Sequence, residues 1–232
     1  MGSQDRRFVS SKSELFEVVV RVLMDSSRKT SDLTRADRAV DAGYLLGHTV
    51  DNDNEPLLEL SNAWLERNVR RVLLEDIGAH NLSVGSSVAG FENWRNRLLA
   101  MGVREDAIIA VPPALDLLPP CTDSEVIGLV RLAKERGWKT VHLFAPALHR
   151  FRAFVSTVSA IKRVGYDLQV WGQPITSVQN WQEVVVYSQS APKAARKSQV
   201  VDELAKVEQY CAKGDHVTAK EVLEYLDWRD LQ

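Results

Sequence analysis

Apolar residues occur along the chain in two patterns, short continuous runs and longer stretches in which they recur every three or four positions. A short continuous run is typical of a strand buried on both faces, and the longer spacing is typical of an amphipathic helix. The predicted strands cover 39–48, 70–76, 107–111, 139–145 and 167–171. The predicted helices that accompany them cover 12–24, 57–68, 91–101, 122–136 and 148–164.

Strands and helices therefore alternate about five times with short connections, which predicts a parallel sheet covered by helices on both faces. The predicted fold class is α/β, a three-layer Rossmann-like fold with a mainly parallel sheet of about five strands. Beyond residue 174 the pattern changes to helices only, predicted at 178–188, 200–211 and 218–226. We divide the chain into an N-terminal tail and helix (1–35), an α/β domain (36–174) and a C-terminal helical extension (175–232) packed on the same domain.

The same periodicity predicts which side chains face the core. In the helix at 57–68, Leu57, Leu60 and Leu65 are expected to point inward. In the helix at 148–164, Arg150 is expected to point to solvent.

Two short polar motifs have structural explanations. Thr122 and Glu125 form a T-x-x-E pattern, in which the hydroxyl and the carboxylate cap the first turn of a helix reciprocally. The acidic segment 51–55 resembles the start of a calcium loop but lacks the glycine required at the sixth position, so it is expected to be a solvated loop.

Composition narrows the class of protein. The 232 residues are 45% hydrophobic and 26% charged, with 29 Lys+Arg against 31 Asp+Glu and a net charge of −2, as in a globular protein of ordinary composition. Because a basic stripe is missing, we expect no nucleic-acid partner. We expect no membrane attachment either, since neither a signal peptide nor a spanning helix is visible. Cys121 and Cys211 have neither disulfide-framework nor zinc-ligand spacing, which favours a cytoplasmic location.

Candidate chemistry is expected at the carboxyl ends of the strands, where open parallel sheets bind ligands. Five polar segments fall there and are expected to share one cleft: 47–55, 75–80, the residues before Glu92, 121–125 and 149–152. Glu75 ends the second strand, where dinucleotide-binding folds place a ribose-binding acid, but no G-x-G-x-x-G follows the first strand. Walker, G-x-S-x-G and H-E-x-x-H motifs are also absent, so the sequence assigns no cofactor and no metal.

The strongest candidate pair is His149 and Arg152. They are three positions apart, so they share one face of the first helical turn after the clearest strand. Their charges and the free amides of the helix N-terminus favour an anion. The structural alternative is that both side chains are solvated or form ordinary ion pairs.

With its segments in this order, the chain from about residue 36 to 171 resembles the YdcF/SanA-like bacterial family, a Rossmann-like domain of unknown function. The resemblance rests on Leu45-Leu46-Gly47, on Glu92 with Leu98-Leu99 and Gly102-Val103, on Thr122 with Glu125, and on 148–153, which is similar to the family's H-x-x-R-A signature. The chain has His48 where the family usually has a second glycine.

The resemblance implies a polar cleft lined by six residues and suited to a small anionic, phosphate-bearing or nucleotide-like ligand, S-adenosylmethionine included. In our first hypothesis Arg152 clamps the anion, His149 acts as general acid or base, and Glu92 or Glu125 orients His149 or holds a metal. The assigned catalytic residues are His149 and Glu125, and the assigned ligand-binding residues are Gly47, Glu92, Thr122 and Arg152. The resemblance itself implies no reaction, and a transfer or a hydrolysis is our own hypothesis for this site.

A second hypothesis is a non-catalytic scaffold that binds a partner or a second copy of itself through the C-terminal helices. The apolar positions are Val201, Leu204, Val207 and Tyr210 in one helix and Val222, Leu223, Tyr225 and Leu226 in the next. The alternative is that these faces pack on their own domain.

Overall fold

The computed structural model describes residues 11–23, 39–76, 88–114, 121–172, 180–186 and 193–232. Most of the predicted N-terminal tail and the part of the polar segment 75–80 that begins at residue 77 lie outside these residues. The helices are α1 (Lys12–Leu23), α2 (Asn54–Leu65), α3 (Phe91–Ala100), α4 (Thr122–Arg136), α5 (Ala147–Val164), α6 (Arg196–Lys213) and α7 (Ala219–Asp230). The strands are β1 (Ala42–Leu45), β2 (Val72–Glu75), β3 (Ile108–Val111), β4 (Thr140–Phe144), β5 (Gln169–Gly172), β6 (Val184–Val185) and β7 (Ala194–Ala195).

Five strands form one parallel sheet in the order β3-β2-β1-β4-β5, which confirms the predicted α/β, Rossmann-like architecture. Its strands are short apolar runs because both faces are covered. Leu57, Leu60 and Trp94 of α2 and α3 pack on one face. Helices α4 and α5 pack on the other, where Val130 and Phe154 belong to the larger core cluster.

The terminal helices join that larger cluster. Val18 and Val22 of α1, Val207 of α6, and Val222 and Leu226 of α7 are buried in it. Arg21 of α1 also forms ion pairs with two aspartates near the end of α7. Within the described ranges, none of the helices is both long and apolar enough to cross a bilayer.

The predicted helix at 178–188 is wrong within the described residues 180–186. Val184 and Val185 form β6, which pairs antiparallel with β7. A run of β-branched residues fits a strand better than a helix, and this pairing with Ala194 and Ala195 decided between them.

Two predicted side-chain orientations are also wrong. Arg150 is buried because its guanidinium turns toward the protein, where it lies 3.7 Å from Glu59 of α2 and donates to the Ala145 carbonyl at 3.3 Å. Leu65 is half exposed because the buried face of α2 follows Leu57, Leu60 and Ala63, and Leu65 lies to one side of it.

The cap of α4 uses residues other than the predicted pair. Cys121 is extended and is the N-cap residue, and its amide donates to the Ser124 hydroxyl at 2.9 Å. Thr122 is therefore inside the helix, and both its hydroxyl and the Glu125 carboxylate are free to face the sheet edge. Because the N-cap is Cys121 and not Thr122, neither Thr122 nor Glu125 caps the helix.

The segment 51–55 is not the solvated loop that was predicted. Asn52 and Asp53 are buried, and Asp53 accepts hydrogen bonds from Trp94 and Arg97 of α3, both at 2.9 Å. These bonds join the start of α2 to α3, so Asp53 has a structural role.

Candidate functional site

The order of the strands creates a topological switch point between β1 and β4. From β1 the chain proceeds to β2 and β3 on one side, and β4 leads to β5 on the other. Open α/β sheets bind ligands at such a point, outside the carboxyl ends of the strands, and we call this place in the chain the crevice. His48 follows β1 and His149 follows β4, and their rings meet edge to face with centroids 4.6 Å apart.

Arg152 is held above this crevice by contacts with three elements. Its Nε donates to both carboxylate oxygens of Glu203 in α6, at 2.8 and 3.0 Å. Its Nη1 donates to the Thr122 hydroxyl of α4 at 2.9 Å, and its Nη2 lies 2.9 Å from Nδ1 of His149. A guanidinium carries five N–H groups, so at least one N–H on each terminal nitrogen is left after the bonds to Glu203 and Thr122, and 15% of the side chain is exposed.

The site stabilises negative charge strongly. The carboxylate of Glu203 is almost fully buried, with Oε2 2.7 Å from His149 Nδ1 and Lys206 3.4 Å from Oε1. Burial would raise the pKa of Glu203, but His149 and Arg152 outweigh it and lower that pKa to about 2. An anionic group from α6 therefore already sits where the sequence predicted an anion.

A second cluster lies beside it, at the ends of β1, β2 and α4. Glu75 ends β2 with its side chain buried, and Glu125 in the first turn of α4 accepts a hydrogen bond from the Gly47 amide at 3.2 Å. Burial and the neighbouring charge of Glu125 raise the pKa of Glu75 well above its usual range. Burial raises the pKa of Glu125 to about 7, against the opposing effects of the Gly47 amide and Arg152. Burial therefore disfavours two charges on this pair, and both carboxyl oxygens of Glu75 are buried without a hydrogen-bond partner among the described residues.

Gly47 is required by the approach of these two carboxyls. A Cβ atom built there would lie 2.6 Å from Oε2 of Glu75 and 3.4 Å from Oε1 of Glu125. A side chain at this position would push the pair apart or displace the chain that leaves β1.

Both histidines are held neutral. Burial, followed by the charge of Arg152, lowers the pKa of His149. Burial also lowers the pKa of His48 well below its usual value, with further contributions from His149 and Arg152. Among the described residues, His48 Nε2 and the Tyr44 hydroxyl are buried polar atoms at this edge without a hydrogen-bond partner. Such atoms are rare in native structures and mark where a water or ligand would be bound.

The structure brings five of the six sequence-predicted residues together and leaves one out. Gly47 and Glu125 contact each other, and Thr122, His149 and Arg152 form the second group. The charge of Arg152 acts on Glu125, so the two groups are neighbours.

Glu92 is the residue left out. It begins α3 with a side chain that is 73% exposed, and its ion-pair partner is Arg95 on the same helix at 3.5 Å. The sequence hypothesis named Glu92 or Glu125 as the carboxylate that orients His149. In the structure the carboxylate that contacts His149 is Glu203.

Sequence reasoning did not select His48, Glu75 or Glu203 as site residues. His48 and Glu75 carried a usable signal, since each follows or ends a strand at the carboxyl edge. Glu203 carried none, because it lies in the middle of an ordinary amphipathic helix 51 residues after Arg152.

The arrangement differs from a dinucleotide-binding site. Glu75, at the position of the ribose-binding acid, faces Glu125 and is buried. The N-cap of α2 is Asp53, whose carboxylate is paired with Arg97 instead of leaving the helix start open to a pyrophosphate. Within the described part of the chain, no group of three or more His, Cys, Asp or Glu side chains is arranged to hold a metal ion.

The fold and the site thus define a Rossmann-like α/β protein with a buried cluster of charged side chains at its switch point. No family model matches the chain, and no curated protein matches it either.

Proposed function

We propose that this chain binds a phosphorylated or nucleotide-like small molecule at the switch point and is an enzyme of the transfer or hydrolysis type. The observation that supports binding is the buried Glu203 carboxylate, which is stabilised by Arg152 and His149 as a ligand anion would be. Arg152 keeps two N–H groups for an incoming oxyanion. The first turn of α5 contains no acidic residue, so the positive end of the helix dipole there is not opposed on its own helix.

The support for catalysis is a pair of groups whose pKa values have moved in opposite directions. At neutral pH His149 is an unprotonated base, whereas the Glu75–Glu125 pair retains a proton and is an acid. In phosphoryl transfer, His149 would take the proton of the attacking water or hydroxyl as its oxygen bonds to phosphorus. Glu125 would give its proton to the leaving oxygen as the bond from that oxygen to phosphorus breaks.

The resemblance to the YdcF/SanA-like family supports the same location, because 148–153 and Thr122 with Glu125 carry it. We propose both the relationship to this family and a small anionic ligand. The scaffold hypothesis lacks comparable support, since Val207, Val222 and Leu226 of the C-terminal helices are buried in the core of this chain.

Binding is tested by the thermal unfolding of the full chain with inorganic phosphate, pyrophosphate, AMP and S-adenosylmethionine, each with and without Mg²⁺. A probe at 100 times its dissociation constant adds roughly 2.7 kcal/mol to the free energy of unfolding. The test variant is the double substitution Arg152→Met with Glu203→Gln, which leaves neither buried charge of this pair behind. We expect it to lose the shift.

The matched control is Arg163→Ala, an exposed arginine near the end of the same helix. It should retain the full shift. An absence of any shift in the wild-type protein, or an equal shift in the double variant, would overturn the proposed binding site.

A further inference from the structure

The C-terminal extension contributes a buried acid to the crevice. On α6, Arg196, Gln199, Glu203 and Val207 are the buried positions, and they follow one face of the helix. Arg196 donates to Asn52 in the β1–α2 loop, and Gln199 donates to two backbone carbonyls of the β6–β7 hairpin. These bonds fix the axial position of α6, and with it the height at which Glu203 meets His149.

Nδ1 of His149 lies close to one hydrogen-bond acceptor and one hydrogen-bond donor, and it can satisfy only one of them. It lies 2.7 Å from Oε2 of Glu203 and 2.9 Å from Nη2 of Arg152. An arginine nitrogen can only donate, and the ionised Glu203 can only accept, so Nδ1 must either accept from Arg152 or donate to Glu203.

The shorter contact decides the tautomer. With its lone pair on Nδ1, His149 would face a carboxylate oxygen at 2.7 Å and repel it. Arg152 does not depend on His149 for a partner, because Glu203 and Thr122 already accept from it. Nδ1 therefore carries the hydrogen, and the lone pair is on Nε2, the nitrogen that can take up a proton.

We propose that Glu203 is a positioning residue, which fixes the Nδ1–H tautomer of His149 and leaves Nε2 as the basic nitrogen of the crevice. That Nε2 takes the proton of the attacking group rests on the proposed function. The charged and titratable groups that face His149 are His48 from the β1 loop, Arg152 on its own helix, and Glu203 with Lys206 on α6. Arg152 and Lys206 oppose a charge on the ring, and Glu203 alone favours one.

The tautomer is measured on the ligand-free full chain by long-range ¹H–¹⁵N correlation spectra of ¹⁵N-labelled histidine side chains at pH 7. In the wild-type protein we expect His149 to carry its hydrogen on Nδ1. In Glu203→Met, which keeps the length of the side chain and removes the acceptor, Nδ1 should accept from Arg152 and the hydrogen should move to Nε2. Glu203→Asp should restore the Nδ1–H form.

Glu208→Met is the matched control, since Glu208 is an exposed glutamate on the same helix. A hydrogen on Nε2 of the wild-type ring, or an unchanged tautomer in folded Glu203→Met, would overturn the inference. Should Glu203→Met fail to fold by circular dichroism, the wild-type spectrum and Glu203→Asp still decide it.

Adding inorganic phosphate to the same samples separates this inference from the proposed function. Movement of the Nε2 resonance on phosphate addition supports the binding site. An unresponsive Nε2 in an Nδ1–H ring would count against phosphate as the ligand and leave the role of Glu203 intact.

Discussion

At the scale of single residues, Gly47 shows how closely the acid pair is packed. Gly47→Ala places a methyl group 2.6 Å from Oε2 of Glu75. We expect a loss of about 1–3 kcal/mol in the free energy of unfolding, as for other overpacked sites, measured by urea denaturation. If the clash with Glu75 is the cause, the loss should shrink when Glu75→Ala is added to the same chain. Equal losses with and without Glu75 would contradict this reading.

Glu75 should destabilise the protein at alkaline pH. A carboxyl whose pKa is raised on folding contributes full stability below its unfolded pKa, near 4.5, and loses it as the pH rises through its folded pKa. Glu75→Gln cannot ionise, so we expect it to raise the free energy of unfolding at pH 8 by on the order of 1 kcal/mol and to change little at pH 4.5. Denaturation curves at the two pH values measure this. A uniform loss at both would show that the pair is not protonated.

His142 should make the protein sensitive to acid. It lies in β4 with both ring nitrogens buried without a hydrogen-bond partner, and burial followed by the charge of Arg229 lowers its pKa to about 4. Above pH 6.5 His142 is neutral in both the folded and the unfolded protein. As the pH falls below 6.5 the ring takes up a proton in the unfolded protein only, so the free energy of unfolding falls, and this loss is complete near pH 4. It amounts to about 3 kcal/mol. His142→Leu should flatten the fall in stability over that window, and an equally steep fall in this variant would contradict the prediction.

At the scale of elements, His149 and Arg152 of α5 both contact the buried Glu203 of α6. Arg152→Ala removes the arginine that is paired with the buried Glu203 carboxylate, and we expect a loss of about 3–5 kcal/mol in the free energy of unfolding. Adding Glu203→Gln should recover much of that loss because the uncompensated charge is removed. Urea denaturation of the single and double variants measures the coupling, and strictly additive effects would argue against it.

At the scale of the whole molecule, the C-terminal extension is part of the core. Val207, Val222 and Leu226 are buried in the cluster that also contains Val18 and Val22 of α1. A chain ending after Pro174 should therefore lose its cooperative unfolding transition and precipitate. Analytical ultracentrifugation and thermal unfolding test this. A soluble, cooperatively folded monomer from a wild-type dimer would instead support the scaffold hypothesis.

Much of the fold could be predicted because its signals are local. Five apolar runs predict five buried strands, and their alternation with helices predicts a parallel sheet. The location of most candidate site residues could be predicted as well. Each of them follows or begins an element at one edge of that sheet: Gly47, Thr122, Glu125, His149 and Arg152. Spacing could not show which way a side chain turns once another element covers it, as Arg150 illustrates.

The sequence by itself determined the α/β class, the edge at which polar side chains gather and the presence of His149 and Arg152 on one face of a helix, because periodicity and chain order specify all three. The tertiary structure alone decided that Glu203 faces these two residues and that Glu75 faces Glu125. Each pair joins elements far apart in the chain, and burial with the neighbouring charges sets the protonation of both. Charges in a site depend on distances and solvent exposure, which a linear pattern of residues does not contain.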